Sequence, residues 1–129
     1  MIELALGIIQ GELPKIGVPY EFMRWTPPVA DRYWVGEYVE TPTDTEDGYE
    51  EGTLILTGTT KDSWVKLLDD RAKIQDHFPN VGGLRKSTDK GTVVIFYSNS
   101  FPVDTGEANL KRMQINLQIK AWKGMKHYA

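Results

Sequence analysis

A cluster of carboxylates between residues 44 and 51 could most directly do chemistry, because calcium binds clustered carboxylates. Its spacing does not match the EF-hand: counted from Asp44, the fifth position is Gly48 and the twelfth is Ile55 instead of glutamate. The cluster therefore favours a solvated loop that protects a strand edge, or an electrostatic docking loop, over a calcium site. Its acidic members are Asp44, Glu46, Asp47, Glu50 and Glu51.

Two histidines, His77 and His127, are the other candidate metal ligands or general bases. Neither has a histidine or glutamate at a ligand spacing such as HExxH. The sequence contains no cysteine, which excludes disulfides, a thiolate zinc site and a cysteine nucleophile, and suits a reducing cytosol. His77 falls at the predicted C-terminus of a helix, where a cation is favourable, so we predict surface roles for both histidines.

Serine and glycine patterns give no signature of hydrolysis or phosphate binding. No serine lies in a GxSxG motif, and Gly82-Gly83 is too short for a phosphate-binding loop. A catalytic serine, Ser98 or Ser100, with a distant histidine, or a pair of glycosidase-type carboxylates, can be recognised only from the positions of the side chains in the fold. We therefore predict a protein that binds and assembles rather than catalyses, with no cofactor and no metal.

Aromatic residues are numerous enough to suggest stacking on bases or sugars, since the chain has four tryptophans and six tyrosines. Most of them fall in strand patterns at positions that a core or an interface would use, which predicts packing. Trp122 differs, because it lies on the polar face of the last predicted strand, beside Lys120 and Lys123. We predict that Trp122 anchors an interface.

Charges are unevenly distributed along the chain, although the net charge is only −3. Residues 29–60 carry eight acidic side chains and one basic one, whereas residues 61–129 carry twelve basic and seven acidic ones. Either these charges are simply solvated on the surface, or acidic and basic residues form two different surfaces. In the second case the acidic surface of one copy attracts the basic surface of the next. The second interpretation predicts a head-to-tail oligomer with these interface candidates: Glu40, Asp44, Glu46, Asp47, Glu50, Glu51, Arg85, Lys86, Lys90 and Trp122.

Length and composition predict one folded domain over residues 1–129, because 129 residues with 40% hydrophobic content can bury a core without disulfides or a structural metal. The first residues carry Glu3 where a signal peptide has basic residues, so no export signal is predicted. No stretch approaches the roughly 20 apolar residues that a membrane-spanning helix needs. We therefore expect no association with a membrane.

The first half of the chain predicts a helix, three strands and a second helix. Residues 2–12 have helical spacing, and residues 19–26, 31–41 and 52–59 have the alternation or composition of strands. From residue 60 to 78, apolar side chains recur every three or four positions, which predicts the longest helix. Its caps would be Thr59 with Asp62, or Thr60 with Ser63.

The second half predicts two further strands. Residues 92–97 suit a central strand, and residues 113–121 alternate as a half-buried strand with one polar face. Residues 81–90 predict a mobile loop or weak hairpin arm, and residues 99–109 a long connection. The chain thus predicts an α+β fold of order α-β-β-β-α-β-β, with an antiparallel sheet of about five strands and one long and one short helix on one face.

Two segments carry a family resemblance. One runs from Tyr33-Trp34-Val35-Gly36-Glu37-Tyr38 through the acidic loop into Gly52-Thr53-Leu54-Ile55-Leu56-Thr57-Gly58, and the other from Asn99-Ser100-Phe101-Pro102-Val103 into residues 113–120. They resemble the small tail-assembly proteins of long-tailed phages and prophages, of the tail terminator or tail completion type. The likeness lies in overall pattern, size and element order, without a diagnostic motif.

This resemblance implies a non-enzymatic protein whose subunits form a homo-oligomeric ring, typically a hexamer, that caps the tail tube and joins it to the head. The implied partners are other copies of the chain, tail-tube subunits and head–tail connector proteins, with nucleic acid present only as DNA passing through the ring. The implied locations are the bacterial host cytoplasm during assembly and then the virion tail. A polarised chain is compatible with such a closing, heterologous interface.

An oligonucleotide-binding barrel is the alternative, because β-β-β-α-β-β is also the element order of the OB-fold. The last predicted strand could then bind a single nucleic-acid strand by charge and stacking. The chain is acidic overall and has no basic aromatic run, which favours the assembly protein. The residues that would bind nucleic acid are Lys111, Arg112, Lys120 and Trp122.

Overall fold

The computed structural model describes residues 2–25, 31–41 and 49–123, which form two helices and six strands. The α+β class and the predicted element order are confirmed, with one strand added. Asp44, Glu46, Asp47 and His127 lie outside the described residues. The elements are α1 (Ile2–Lys15), β1 (Tyr20–Phe22), β2 (Arg32–Thr41), β3 (Tyr49–Thr60), α2 (Trp64–His77), β4 (Leu84–Thr88), β5 (Gly91–Val103) and β6 (Lys111–Lys123).

The six described strands form one sheet in the order β1-β2-β3-β6-β5-β4. The prediction of about five antiparallel strands is corrected in two respects. β4 forms within residues 81–90 and pairs antiparallel with β5, which confirms the hairpin-arm alternative for this segment and adds a strand to the predicted five. β1 pairs with β2 in parallel, so the sheet is mixed. These strands do not form the five-stranded barrel of the OB-fold alternative.

β1 is shorter than the predicted strand 19–26, because the backbone turns at Met23. Met23 has a φ of 73°, and the Arg24 N–H donates a 2.9 Å hydrogen bond to the Phe22 carbonyl. A non-glycine residue rarely adopts this left-handed conformation, which extended strands exclude. The chain therefore leaves the sheet after Phe22, although β2 continues to Thr41.

β5 is longer than predicted, because part of the expected connection 99–109 continues the strand. Its register against β6 shifts between Tyr97 and Asn99, and pairing then resumes as far as Val103. Such a bulge adds one residue to one strand without ending the ladder. β6 likewise extends beyond the predicted 113–121 at both ends.

Both helices pack on one face of the sheet and bury a single apolar cluster. α1 contributes Ala5, Ile9 and Leu13, all fully buried, and extends three residues beyond its predicted end. Alternate residues of the central strands, such as Leu54 in β3 and Leu117 in β6, complete the cluster. Burying each large aliphatic side chain contributes about 1.5–3 kcal/mol. The sheet members of the cluster include Trp34, Leu54, Leu56, Val93, Ile95, Ile115, Leu117 and Ile119.

α2 begins at Trp64 because Ser63 caps it. The Ser63 hydroxyl accepts a 3.0 Å hydrogen bond from the Val65 N–H, which satisfies one of the free donors at the helix start. Thr60, one of the predicted caps, instead accepts a hydrogen bond from the Asp62 N–H in the preceding turn. The other predicted cap, Thr59, lies within β3.

Candidate assembly interface

The described residues present charged surfaces on several strands. In residues 2–25, 31–41 and 49–123, no group of three or more histidine, aspartate or glutamate side chains could hold a metal ion. No helix in these ranges is long and apolar enough to cross a membrane.

The acidic candidates Glu40 and Glu50 lie close enough to Tyr38 to affect its ionisation. Burial, and then the nearby carboxylates of Glu40, Glu50 and Glu3, raise the pKa of Tyr38 to about 12. A carboxylate opposes ionisation of a neighbouring phenol because both would be negative. Glu51 is offset from Glu50 by one residue and therefore points to the opposite face of the sheet.

The basic candidates Arg85, Lys86 and Lys90 lie on β4 and on the turn that joins it to β5, and all three are exposed. Strand alternation places Arg85 and Lys86 on opposite faces. Lys86 is also used within the subunit, because its Nζ lies 3.1 Å from Oε1 of Glu12. Arg85 and Lys90 are thus the more available cations of the predicted set.

Glu12 is a buried charge that the sequence argument did not identify. Its side chain is only 7% exposed, and its carboxylate lies 3.2 Å from Lys15 Nζ and 3.5 Å from His77 Nε2 as well as near Lys86. The hydrogen bond from Lys86, followed by Lys15, lowers the pKa of Glu12 although burial opposes the shift. The cluster joins α1 to β4 and to the end of α2. Glu12 follows Ile9 by three residues, which places it on the buried helix face and was the available signal.

Asp70 is a second polar residue that the sequence argument missed. It is 1% exposed, and its Oδ2 accepts hydrogen bonds of 2.8 Å from both Arg32 Nε and Trp34 Nε1. Arg32 also donates through Nη2 to the Gly17 carbonyl, at 3.1 Å. This network joins α2 to β2 and to the segment after α1. Asp70 falls between Leu67 and Ile74 at helical spacing, so the pattern placed it on the apolar face.

The face of the sheet opposite the helices carries the polar side of β6, as predicted. Gln114, Asn116, Gln118 and Lys120 are partly exposed on it, and Lys120 Nζ lies 5.7 Å from the centre of the Phe96 ring. Trp122 is partly buried on the same face, and its backbone pairs with Tyr49 and Thr92. Lys111 is corrected from the predicted nucleic-acid set, because strand alternation places it on the other face.

The charge asymmetry along the sequence becomes an asymmetry across the sheet. We call Glu37, Glu40, Glu50 and Glu51, on β2 and β3, the acidic side. We call Arg85, Lys86 and Lys90, on β4 and its turn, the basic side. Because the strand order is β1-β2-β3-β6-β5-β4, the two sides are separated by the central strands. Opposite charges on two different surfaces suit a heterologous contact between copies.

The comparisons with known proteins give a structural relationship. No protein-family model matches the sequence, and no curated protein sequence matches it. A chain from a solved structure described as the virion of a native gene transfer agent (GTA) particle superimposes with a TM-score of 0.65. The match covers 88% of this chain and 85% of that chain at 11% sequence identity, and so shows a shared fold. The fold is thus one that occurs in a virion particle.

Proposed function

We propose that this protein is a structural, non-enzymatic subunit of a phage-like particle. The observation that carries the proposal is the fold shared over most of both chains with a chain of a gene transfer agent virion. The subunit acts as a tail terminator: it forms a homo-oligomeric ring, with six copies as the expected number, at the end of the tail tube that joins the head.

The separated charges support a ring in particular. A cyclic oligomer built from one heterologous contact needs two different complementary surfaces on each copy. The acidic and basic sides of the sheet are such a pair. Trp122 adds an aromatic side chain on the face of the sheet opposite the helices, where it anchors a contact with another copy or with a tail-tube subunit.

The partners of the ring are other copies of this chain, tail-tube subunits and head–tail connector proteins. Assembly takes place in the host cytoplasm, and the finished ring belongs to the virion tail. DNA is not a ligand of the subunit and only passes through the ring.

Light scattering over a range of protein concentrations, with averaged electron micrographs, tests this function. The purified chain is measured alone and with the tail-tube subunits of the same particle. We expect closed rings of one size, alone or at the ends of tubes. A chain that remains monomeric at high concentration and does not bind tube ends would overturn the proposal.

Nucleic-acid binding is distinguished by fluorescence anisotropy with a labelled single strand at low salt, where phosphate contacts are strongest. The polar face of β6 is the surface that would bind it, so Lys120→Ala and Trp122→Ala are the matched variants. We expect no binding by the wild type. Binding that both variants weaken, in a chain that forms no rings, would favour the nucleic-acid alternative.

A further inference from the structure

We propose that copies of this chain join edge to edge, with the free edge of β2 in one copy pairing in parallel with the free edge of β4 in the next. The inference rests on the proposed function, a ring of identical subunits, which makes the partner a second copy of this chain. It goes further by naming the two strands and their direction.

The free edge of β2 begins where β1 ends. β1 pairs only with Trp34, Val35 and Gly36, whereas β2 continues for five more residues, 37–41. The Trp34 N–H donates to the Pro19 carbonyl and the Gly36 carbonyl accepts from Met23, both at 2.9 Å. Because backbone groups alternate along a strand, those of residues 38 and 40 face the same edge. Among the described residues, no strand pairs with this edge.

The turn at Met23 keeps this edge open. A left-handed non-glycine residue costs about 1–3 kcal/mol and persists only where the surroundings hold it. Here the turn ends the pairing of the chain with β2 just after the hydrogen bond from the Met23 N–H to the Gly36 carbonyl. The Met23 side chain is 61% exposed at this corner. In the described part of the chain, no strand takes the position beside residues 37–41, which leaves it to a strand of another copy.

The second free edge belongs to β4. Among the described strands it pairs with β5 alone, and its residues from Arg85 to Thr88 are all exposed. It is five residues long, the same length as the free part of β2. Unpaired edges of this kind readily accept a further strand.

The two edges have compatible direction and position. The pairs β2–β3, β3–β6, β6–β5 and β5–β4 are all antiparallel, so β2 and β4 run in the same direction. Rotation about a ring axis preserves the component of a strand's direction along that axis, so strands that run along the axis meet in parallel, as β1 and β2 already do. Both edges also lie at the same end of the sheet, because one row of paired residues runs through Thr41, Glu51, Lys120, Val94 and Arg85.

Charge and apolar exposure favour this pairing over a two-fold one. Glu37 and Glu40 are exposed on β2, and Arg85 and Lys90 are exposed on or beside β4. Two β2 edges or two β4 edges would place like charges together, whereas β2 against β4 places opposite charges together. Val81, which precedes β4, is 86% exposed. Pairing of β4 with β2 brings Val81 toward the turn at Met23 of the neighbouring copy.

Charge-reversal variants test the contact. Glu37→Lys/Glu40→Lys makes both edges basic, and Arg85→Glu/Lys90→Glu makes both acidic. We expect each pair of substitutions to raise the concentration needed for half-assembly at least about tenfold, which corresponds to about 1.4 kcal/mol. All four substitutions in one chain should restore assembly. Lys61→Glu and Glu107→Lys, at exposed positions away from both edges, are the controls and should leave assembly unchanged.

Cross-linking supplies a measurement that does not depend on charge. The sequence has no cysteine, so Val39→Cys/Ser87→Cys carries the only two thiols, one on each edge and on the same sheet face. A short bis-maleimide should join successive copies into a ladder that stops at the ring size. Val39→Cys alone should give no cross-linked dimer, whereas efficient dimers would indicate a two-fold β2 contact and overturn the proposal.

The outcomes separate this proposal from the proposed function. If the wild type forms rings but the ladder is absent and the charge variants still assemble, the edge contact is wrong and the ring function stands. If the wild type forms no rings and does not bind tube ends, the proposed function fails and this contact fails with it. Melting temperatures equal to that of the wild type establish that each variant is folded.

Discussion

The indole Nε1 of Trp34 donates a 2.8 Å hydrogen bond to Oδ2 of Asp70, and both side chains are buried. Trp34 lies on β2 and Asp70 on α2, so this contact fixes the helix against the sheet. The same carboxylate oxygen also accepts from Arg32, which compensates a charge that would be costly to bury alone. The core is therefore held by a polar link as well as by apolar packing.

Asp70→Asn should destabilise the fold by about 2–4 kcal/mol, because the neutral amide leaves Arg32 without its counter-charge and places an NH2 group where Oδ1 is buried without a hydrogen-bond partner. Chemical denaturation measures the change in the free energy of unfolding. Asp69→Asn, at the exposed neighbouring position, is the control and should change it by less than about 0.5 kcal/mol. Equal effects of the two variants would contradict the role assigned to Asp70.

Gly58→Ala should destabilise the fold by about 1–3 kcal/mol, because an added Cβ would lie 2.6 Å from the Trp34 ring. That ring cannot easily move while its indole is bonded to Asp70. Gly7→Ala and Gly11→Ala are controls within α1, since an added Cβ meets nothing within 4 Å at either position. Each control should stabilise by about 0.5–1 kcal/mol, because alanine is the better helix former. Thermal unfolding compares the three variants, and a neutral Gly58→Ala would show that the ring can move.

The parts of the fold that local pattern controls were predictable from the sequence. Leu54 and Leu56 in β3, and alternate residues from Met113 to Ala121 in β6, are buried on the predicted face. The sequence left β4 open between a loop and a weak hairpin arm, because its residues from Arg85 to Thr88 are exposed and their extended form depends on β5. The end of β1 was also hidden, since nothing about the Met23 side chain indicates a left-handed backbone.

The buried polar links depend on contacts between residues distant in sequence. Asp70 meets Trp34 across 36 positions and Arg32 across 38. Helical spacing could place Asp70 and Glu12 on buried faces, but only the folded chain shows which cations and donors they meet. The charge asymmetry was visible in the sequence, whereas its distribution across the sheet required the strand order.

Glu12→Gln should reduce stability at neutral pH by about 1 kcal/mol, because it removes the charge that Lys15 and Lys86 share, and solvent around both cations keeps the effect small. The pKa of Glu12 is lowered in the folded state. Its contribution is therefore present above the unfolded pKa of about 4.5 and is lost as the pH falls through the lower folded value. Denaturation at several pH values should show the difference between wild type and variant shrinking below that range. A difference that stays constant down to about pH 3 would rule out the charge as its cause.

Tyr38 and Tyr20 should ionise at a higher pH than a free tyrosine, because burial raises the pKa of each to about 12. Free tyrosine ionises near pH 10, so the folded state binds these protons more tightly than the unfolded chain. Their contribution to stability is full below about pH 10 and is lost as the pH rises toward 12. An ultraviolet titration measures the phenolates, and Tyr38→Phe should remove one late-ionising group. Glu40→Gln/Glu50→Gln should bring the pKa of Tyr38 closer to its ordinary value, because these carboxylates oppose its ionisation. An unchanged titration in that variant would show that Glu40 and Glu50, on the acidic side, do not act on Tyr38.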